Sequence, residues 1–197
     1  MITPDDIGAH PPLAVNHVAI TVPDIDAAID WYGDAFGFHC IMGPRVLDPG
    51  AAATAETAHI LGPRFRRAYQ AHLLTASGIG IELFQFVDPP VTAAAAEIEF
   101  WRQGLWHLCL TDRDIAATTR RVVELGGEQV SPVTAFVPGR PYELVYCRDP
   151  WGTVIEIMTH SYAEVFSAWP QPGATEPTVW LHNGAVGSGD GGDDASS

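Results

Sequence analysis

Two stretches of the chain show the same change of hydrophobic period, from strict alternation to helical spacing. In residues 17–22 three apolar residues alternate with polar or small ones, which predicts a strand buried on one face. Asp24 then precedes apolar residues spaced three and four apart, and a glycine follows the last of them, so we predict a capped helix. Residues 107–127 repeat this order of strand, cap and helix, with Asp112 or Asp114 as the predicted cap.

The two stretches align with one another at a constant offset of 90 residues. His17 then matches His107, and further identities include Thr21 with Thr111, Asp24 with Asp114, and Gly37 with Gly127. Farther along the chain, at an offset of 74 residues, Glu82 matches Glu156. Each glutamate lies between two apolar residues, in Ile-Glu-Leu and Ile-Glu-Ile. A repeat of this length predicts two copies of one supersecondary unit rather than a solenoid.

Two predicted hairpins complete the two copies. Residues 68–75 and 79–87 flank an Ala-Ser-Gly turn, and residues 143–147 and 153–159 flank the turn sequence Asp-Pro-Trp-Gly. Each copy is therefore predicted to be a βαβββ module. The fold class we expect is α+β: two paired βαβββ modules forming a concave, mostly antiparallel sheet cleft with helices outside.

Composition limits the extent of the folded body. Of 197 residues 47% are hydrophobic, which is enough for one sizeable core, and we predict a single domain at residues 13–168. Its first module covers about residues 13–90 and its second module about residues 103–160. Residues 1–12 are predicted to be an N-terminal arm. Residues 169–197 are rich in Pro, Gly, Ser and Asp, so we predict a Pro-rich arm and a disordered acidic tail.

Net charge narrows the range of partners. Lys and Arg number 10 and Asp and Glu number 24, which gives a formal net charge of −14 and excludes general binding to nucleic acid or anionic membranes. No apolar run in the sequence is long enough to span a bilayer. The first residues lack the basic segment and the apolar core that are typical of a signal peptide. Three widely spaced cysteines predict no disulfide framework. We therefore expect a cytoplasmic protein.

Two histidines and two glutamates occupy equivalent positions in the two modules, His17 and His107 on the first strands and Glu82 and Glu156 on the last. The apolar neighbours of each residue point to the opposite face of its strand, so the four side chains are expected to face across the concave sheet. Imidazole and carboxylate together suit a divalent metal and leave room for water or substrate. Each residue alone is more typical of a core or surface position, but their repetition in register favours a metal site.

The segments NHVAITVPDIDAAIDWYGDAFGF and CRDPWGTVIEI resemble the vicinal oxygen chelate superfamily, over about residues 13–160. This superfamily includes glyoxalase I, methylmalonyl-CoA epimerase, extradiol dioxygenases, and bleomycin and fosfomycin resistance proteins. The resemblance implies one divalent metal ion (Ni, Co, Mn, Zn or Fe), a small-molecule substrate and a homodimer. In the isomerase branches the ligands lie on the first and last strands of each module, where this chain has the four residues named above.

A metal-dependent isomerase, epimerase or lyase fits the set of four ligands, with proton abstraction next to a metal-chelated carbonyl of a small oxygenated metabolite. Glu156 is the predicted principal base and Glu82 its counterpart. Two alternatives stay open: an Fe(II) extradiol-type dioxygenase, which by resemblance uses two histidines and one glutamate, and a ligand-sequestering resistance or binding protein. Glutathione or coenzyme A as part of the substrate is also left open.

Five further residues are weaker candidates for substrate contact or for support of the metal ligands. His72 is predicted opposite the glutamate of the first hairpin, either as its partner or proton shuttle or on the solvent face. Arg64 and Arg67 belong to a basic cluster that either receives a carboxylate or phosphate or is a solvated loop. Trp106 and Tyr146 line either an apolar substrate pocket or the core.

Overall fold

The first module folds into a four-stranded sheet with one helix packed on one of its faces. The computed structural model describes residues 13–95, 97–137 and 139–166. The elements of the first module are β1 (His17–Thr21), α1 (Ile25–Phe36), β2 (His39–Leu47), a 3-10 helix (Ala52–Thr54), α2 (Thr57–Leu61), β3 (Arg67–Leu74) and β4 (Gly80–Asp88). The strand order is β1-β4-β3-β2, with β1 parallel to β4 and the other pairs antiparallel.

The second module repeats this topology with one strand divided in two. Its elements are β5 (Leu108–Thr111), α3 (Ile115–Glu124), β6 (Glu128–Gln129), β7 (Thr134–Ala135), β8 (Glu143–Arg148) and β9 (Val154–Met158). The order is β5-β9-β8-β6, β5 is parallel to β9, and β7 also pairs with β8. Pro132 lies between β6 and β7, where a residue without a backbone N–H cannot continue the ladder.

Aspartate caps begin both long helices, as the sequence predicts. The Asp24 side chain accepts a 3.0 Å hydrogen bond from the Ala27 N–H, and Asp114 does the same for Ala117. Of the two candidate caps of α3, the structure therefore selects Asp114. After α1 the chain reverses at Gly37, whose φ of +70° lies in the left-handed region that glycine adopts without strain.

The two modules share one hydrophobic core because their helices contact each other. The Trp31 indole N–H of α1 donates to the Leu125 carbonyl at 3.0 Å, and Arg121 Nε of α3 donates to the Ala35 carbonyl at 2.7 Å. The core includes the apolar face of each sheet: Ile20, Ala71, Leu73, Ile81 and Leu83 in the first module, and Val145, Cys147, Ile155 and Ile157 in the second. The other face of each sheet consequently lies on the side away from this core.

The predicted fold class is confirmed: the chain is α+β, built from two βαβββ modules whose sheets do not close into a barrel. In the described part of the chain, β1 and β5 each have only one neighbouring strand, so each leaves one backbone edge open. No described helix is long and apolar enough to cross a membrane.

Both modules lie in one compact unit, Val15–Ser161, and a second unit comprises residues 1–14 and 162–197. Within the second unit the described residues include α4 (Tyr162–Phe166), in which the rings of Tyr162 and Phe166 pack at 4.4 Å between centroids. The predicted N-terminal arm and acidic tail lie outside the described residues.

Candidate metal centre

The first pair consists of His17 and Glu82, on the outer face of the first sheet. Strands β1 and β4 run parallel with Ala19 opposite Glu82, so His17 lies two residues from the carboxylate on the same face. His17 Nε2 is 3.5 Å from Glu82 Oε2. His17 Nδ1 is 2.8 Å from the Asn16 side-chain oxygen, which can only accept, so Nδ1 is assigned as the donor of this hydrogen bond.

Two further side chains lie next to the Glu82 carboxylate, and a third holds one of them. Gln70, opposite Phe84 on β3 and so diagonal to Glu82, donates a short hydrogen bond from its amide nitrogen to Oε1. His72 faces Glu82 across the β3–β4 ladder, as the sequence predicts, with its Nε2 3.7 Å from Oε1. Arg45 Nε donates to the Gln70 amide oxygen at 2.8 Å, which fixes the orientation of that amide. Glu82 Oε1 therefore accepts a hydrogen bond from Gln70, while Oε2 faces His17.

The second pair consists of His107 and Glu156, at the equivalent place on the second sheet. His107 Nε2 is 3.3 Å from Glu156 Oε2. Glu156 is only 8% exposed, which makes a partner for its charge necessary. Its neighbours across the ladders are Cys109 on β5 and Tyr146 on β8.

The pKa values of the Tyr146 phenol and the Cys109 thiol are both raised beside Glu156. Burial, followed by a hydrogen bond to Glu156 and the charge of that carboxylate, raises the pKa of the Tyr146 phenol well above its usual value. Burial and then the Glu156 charge likewise raise the pKa of the Cys109 thiol. Both groups consequently keep their protons at neutral pH beside the carboxylate, and the Cys109 thiol donates to the Leu110 carbonyl at 3.8 Å.

An aromatic cluster stands beside the second pair. The Trp106 ring lies 4.1 Å from the His107 ring and 5.4 Å from the Tyr146 ring, measured between centroids, and Phe100 packs edge-on against Trp106 at 5.1 Å. Trp106 and Tyr146 are therefore next to the candidate ligands and not in the shared core.

The two pairs do not meet in one chain. In the part of the chain that the structure describes, no three His, Cys, Asp or Glu side chains are arranged to hold a metal ion. Each pair nevertheless places an imidazole nitrogen beside a carboxylate oxygen, a donor set that suits Mn, Fe, Co, Ni or Zn. Two donors fall short of the four or more ligands such ions take, so each pair fits half of a metal site.

The two arginine candidates lie away from the first pair. In the β3–β4 ladder Arg67 lies opposite Asp88, which is six residues beyond Glu82 along β4. Six residues of extended strand separate the two positions by roughly 20 Å. The Arg67 guanidinium lies 5.9 Å from the centre of the Tyr69 ring. Arg64 is exposed before β3.

Sequence reasoning missed Gln70 and Asn16, although both contact candidate ligands. Gln70 lies two residues before His72 and therefore on the same face of β3, so the alternation of the strand contained the signal. Asn16 precedes β1, where no periodicity indicates a contact with His17.

Comparison with known proteins finds a matching family, a related sequence and similar solved structures. The sequence profile of the Glyoxalase/Bleomycin resistance protein/Dioxygenase superfamily matches residues 14–157. A 2-epi-5-epi-valiolone epimerase from an Actinomyces species is 26% identical over 160 residues, covering 74% of this chain and 79% of its own. A glyoxalase family protein from Bacillus cereus superposes with a TM-score of 0.62 at 24% identity, over 77% of this chain and 96% of its own. A glyoxylase/bleomycin resistance protein/dioxygenase domain from Frankia gives 0.54 at 21% identity, over 76% and 99%.

Proposed function

Because the chain belongs to the glyoxalase/bleomycin resistance protein/dioxygenase superfamily, we propose that it is a divalent-metal-dependent epimerase or isomerase. Its substrate is a small oxygenated metabolite with a carbonyl next to an acidic C–H bond. The observation that carries the proposal is the pair of matched contacts, His17 with Glu82 at 3.5 Å and His107 with Glu156 at 3.3 Å. The epimerase among the relatives supports this type of reaction over oxygenation.

All four residues are proposed metal ligands, and the two glutamates also carry protons. When bound, the metal polarises the carbonyl oxygen as a Lewis acid and stabilises the negative charge that develops there. Glu156 takes the proton from the neighbouring carbon, and the electron pair of the broken C–H bond moves to the carbonyl oxygen. The carboxyl group of Glu82 returns a proton from the other side, which inverts the carbon. Tyr146 remains protonated and orients Glu156.

Two copies of the chain complete each centre in this proposal. The pairs lie on separate sheets, each on the face away from the shared core, and each histidine sits at the start of a strand with an open edge. A groove of about 680 Å³ runs along β5 and is lined by Leu108, Leu110, Phe38, Leu74 and Ile79. Pairing β1 of one copy with β5 of another brings the first pair of one chain to the second pair of its partner.

Metal content and solvent exchange test the proposal together. Elemental mass spectrometry of the purified protein is expected to find about one equivalent of Mn, Co, Ni or Zn per chain, lost in His107→Ala. In heavy water, the metal-loaded protein is expected to exchange the C–H proton next to the carbonyl of 2-epi-5-epi-valiolone, or of a related hydroxyketone, as followed by proton NMR. Oxygen consumption with bound iron, or no metal binding after reconstitution, contradicts the proposal.

A further inference from the structure

The two halves of the candidate centre differ at two positions next to the ligands. Superposing the repeats places Gln70 at the position of Leu144, because β3–β4 and β8–β9 share one register around Glu82 and Glu156. The residue before the ligand histidine is Asn16 in the first module and Trp106 in the second. Gln70 and Asn16 thus correspond to an apolar and an aromatic side chain in the second half, where Tyr146, at the position of His72, is the polar neighbour of Glu156.

Gln70 is the main support of the first half. It is 6% exposed, so its amide must find protein partners. Arg45 can only donate, which turns the Gln70 oxygen toward Arg45 and its NH₂ group toward Glu82 Oε1. The amide does not ionise near neutral pH, so it holds the carboxylate without competing for its proton. Glu82 Oε2 is left directed at His17.

The two histidines differ in the same way. Histidines that bind metals commonly donate their second ring N–H to an oxygen, which fixes the orientation of the ring. His17 has such a partner in Asn16, at 2.8 Å. His107 Nδ1 is buried without a hydrogen-bond partner, and its ring packs instead against Trp106.

We propose that Gln70, held by Arg45, is a positioning residue that makes the first pair the preorganised half of the metal centre. The second pair, with Trp106 and Tyr146 beside it, is the half against which the substrate packs. This proposal rests on the proposed function. It assigns most of the metal affinity to side chains around Glu82, although the four ligands are matched by symmetry.

Exchanging the equivalent residues tests this assignment. Gln70→Leu gives the first half the residue of the second, and Leu144→Gln makes the reciprocal change. Mn²⁺ binding to the metal-free protein is measured from the loss of the electron paramagnetic resonance signal of free Mn²⁺. We expect Gln70→Leu to weaken Mn²⁺ binding about 10–100-fold, the range for partners of metal ligands, and Leu144→Gln to change it less than about threefold.

Folding is monitored separately, by the melting temperature of each metal-free variant. Should Gln70→Leu fail to fold, Arg45→Met provides the second variant, because Arg45 is exposed and its loss only frees the Gln70 amide to rotate. It is expected to weaken Mn²⁺ binding by about three- to tenfold, less than removal of the amide. Binding by the glutamine and arginine variants within threefold of wild type overturns the positioning role while leaving the proposed function intact. Absence of Mn²⁺ binding by the wild-type protein overturns both.

Discussion

The Tyr32 hydroxyl donates a 2.8 Å hydrogen bond to Oδ2 of Asp149, which joins the helix of the first module to a turn of the second. Both residues are buried: Tyr32 has no exposed surface, and Asp149 is 2% exposed. The other carboxylate oxygen accepts the N–H groups of Trp151 and Thr153, so Asp149 also shapes the turn between β8 and β9. Since β9 carries Glu156, this contact connects α1 to the strand of the second pair.

Removing the Tyr32 hydroxyl is expected to destabilise the fold. Tyr32→Phe leaves one oxygen of a buried carboxylate without its donor, and we expect the free energy of unfolding in urea to fall by about 1–3 kcal/mol. Tyr162→Phe is the matched control, because Tyr162 is 76% exposed, and it should change stability by less than about 0.5 kcal/mol. Equal effects of the two substitutions would show that the Tyr32–Asp149 contact does not stabilise the fold.

The Cys147 thiol should make the free energy of unfolding decrease as the pH becomes alkaline. Burial raises the pKa of its thiol to about 11, while a hydrogen bond with Thr119 acts in the opposite direction. The folded state therefore holds this proton more tightly than the unfolded state. The resulting stability is complete below the ordinary thiol pKa of roughly 8.5–9 and is lost as the pH rises toward 11.

A substitution isolates this contribution. Between about pH 8 and about pH 10.5 the wild-type protein should lose at most about 2 kcal/mol more unfolding free energy than Cys147→Ala, because the variant has no thiol to ionise. The comparison uses the change with pH within each protein, so the cavity made by the substitution cancels. Parallel pH profiles for the two proteins would contradict the assignment.

Local patterns in the sequence predict most of each module. Alternation set the faces of β1 and β4, the aspartate and glycine signals located α1, and the short turn at Ser77 fixed His72 opposite Glu82. These features depend on contacts between residues close in the chain or on one repeated period, and both are visible in a single sequence.

The relative placement of the two modules could not be predicted from the sequence, for a physical reason. It depends on contacts such as Trp31 with Leu125 and Tyr32 with Asp149, which join residues about a hundred positions apart and follow no period. Which histidine and glutamate pairs share one metal was open for the same reason, and the structure places the four candidates as two pairs on separate sheets. Alternation along β3 places Gln70 on the same face as His72, but the contact of its amide with Glu82 depends on side-chain orientations that the sequence does not indicate.

The carboxylate of Glu156 is expected to carry the proton transfer. Glu156→Gln keeps the size of the side chain and can still accept a hydrogen bond from Tyr146, so the fold should persist. We expect solvent exchange at the carbon next to the carbonyl to fall about 10²–10⁴-fold, the usual contribution of a general base. Glu143→Gln, on an exposed residue of β8, should exchange at the wild-type rate. Near-normal exchange by Glu156→Gln would exclude Glu156 as the base.

Two defective chains should restore one another if each centre is shared between copies. His17→Ala damages only the first pair and His107→Ala only the second, so each variant alone should bind no metal tightly. In a mixed dimer, one centre combines both damaged pairs and the other combines both intact pairs. Refolding the variants together in equal amounts should thus recover about one quarter of the wild-type Mn²⁺ sites, because about half of the dimers are mixed.

The control for this experiment uses two defects in the same module. His17→Ala refolded with Glu82→Ala leaves every first pair damaged, so no arrangement of two copies yields an intact centre, and Mn²⁺ binding should stay at the level of the separate variants. Centres formed within one chain predict no recovery in either mixture, since each chain keeps its own defect. Recovery in the first mixture and not in the second therefore identifies the shared centre, and light scattering on the same samples checks that the chains are dimeric.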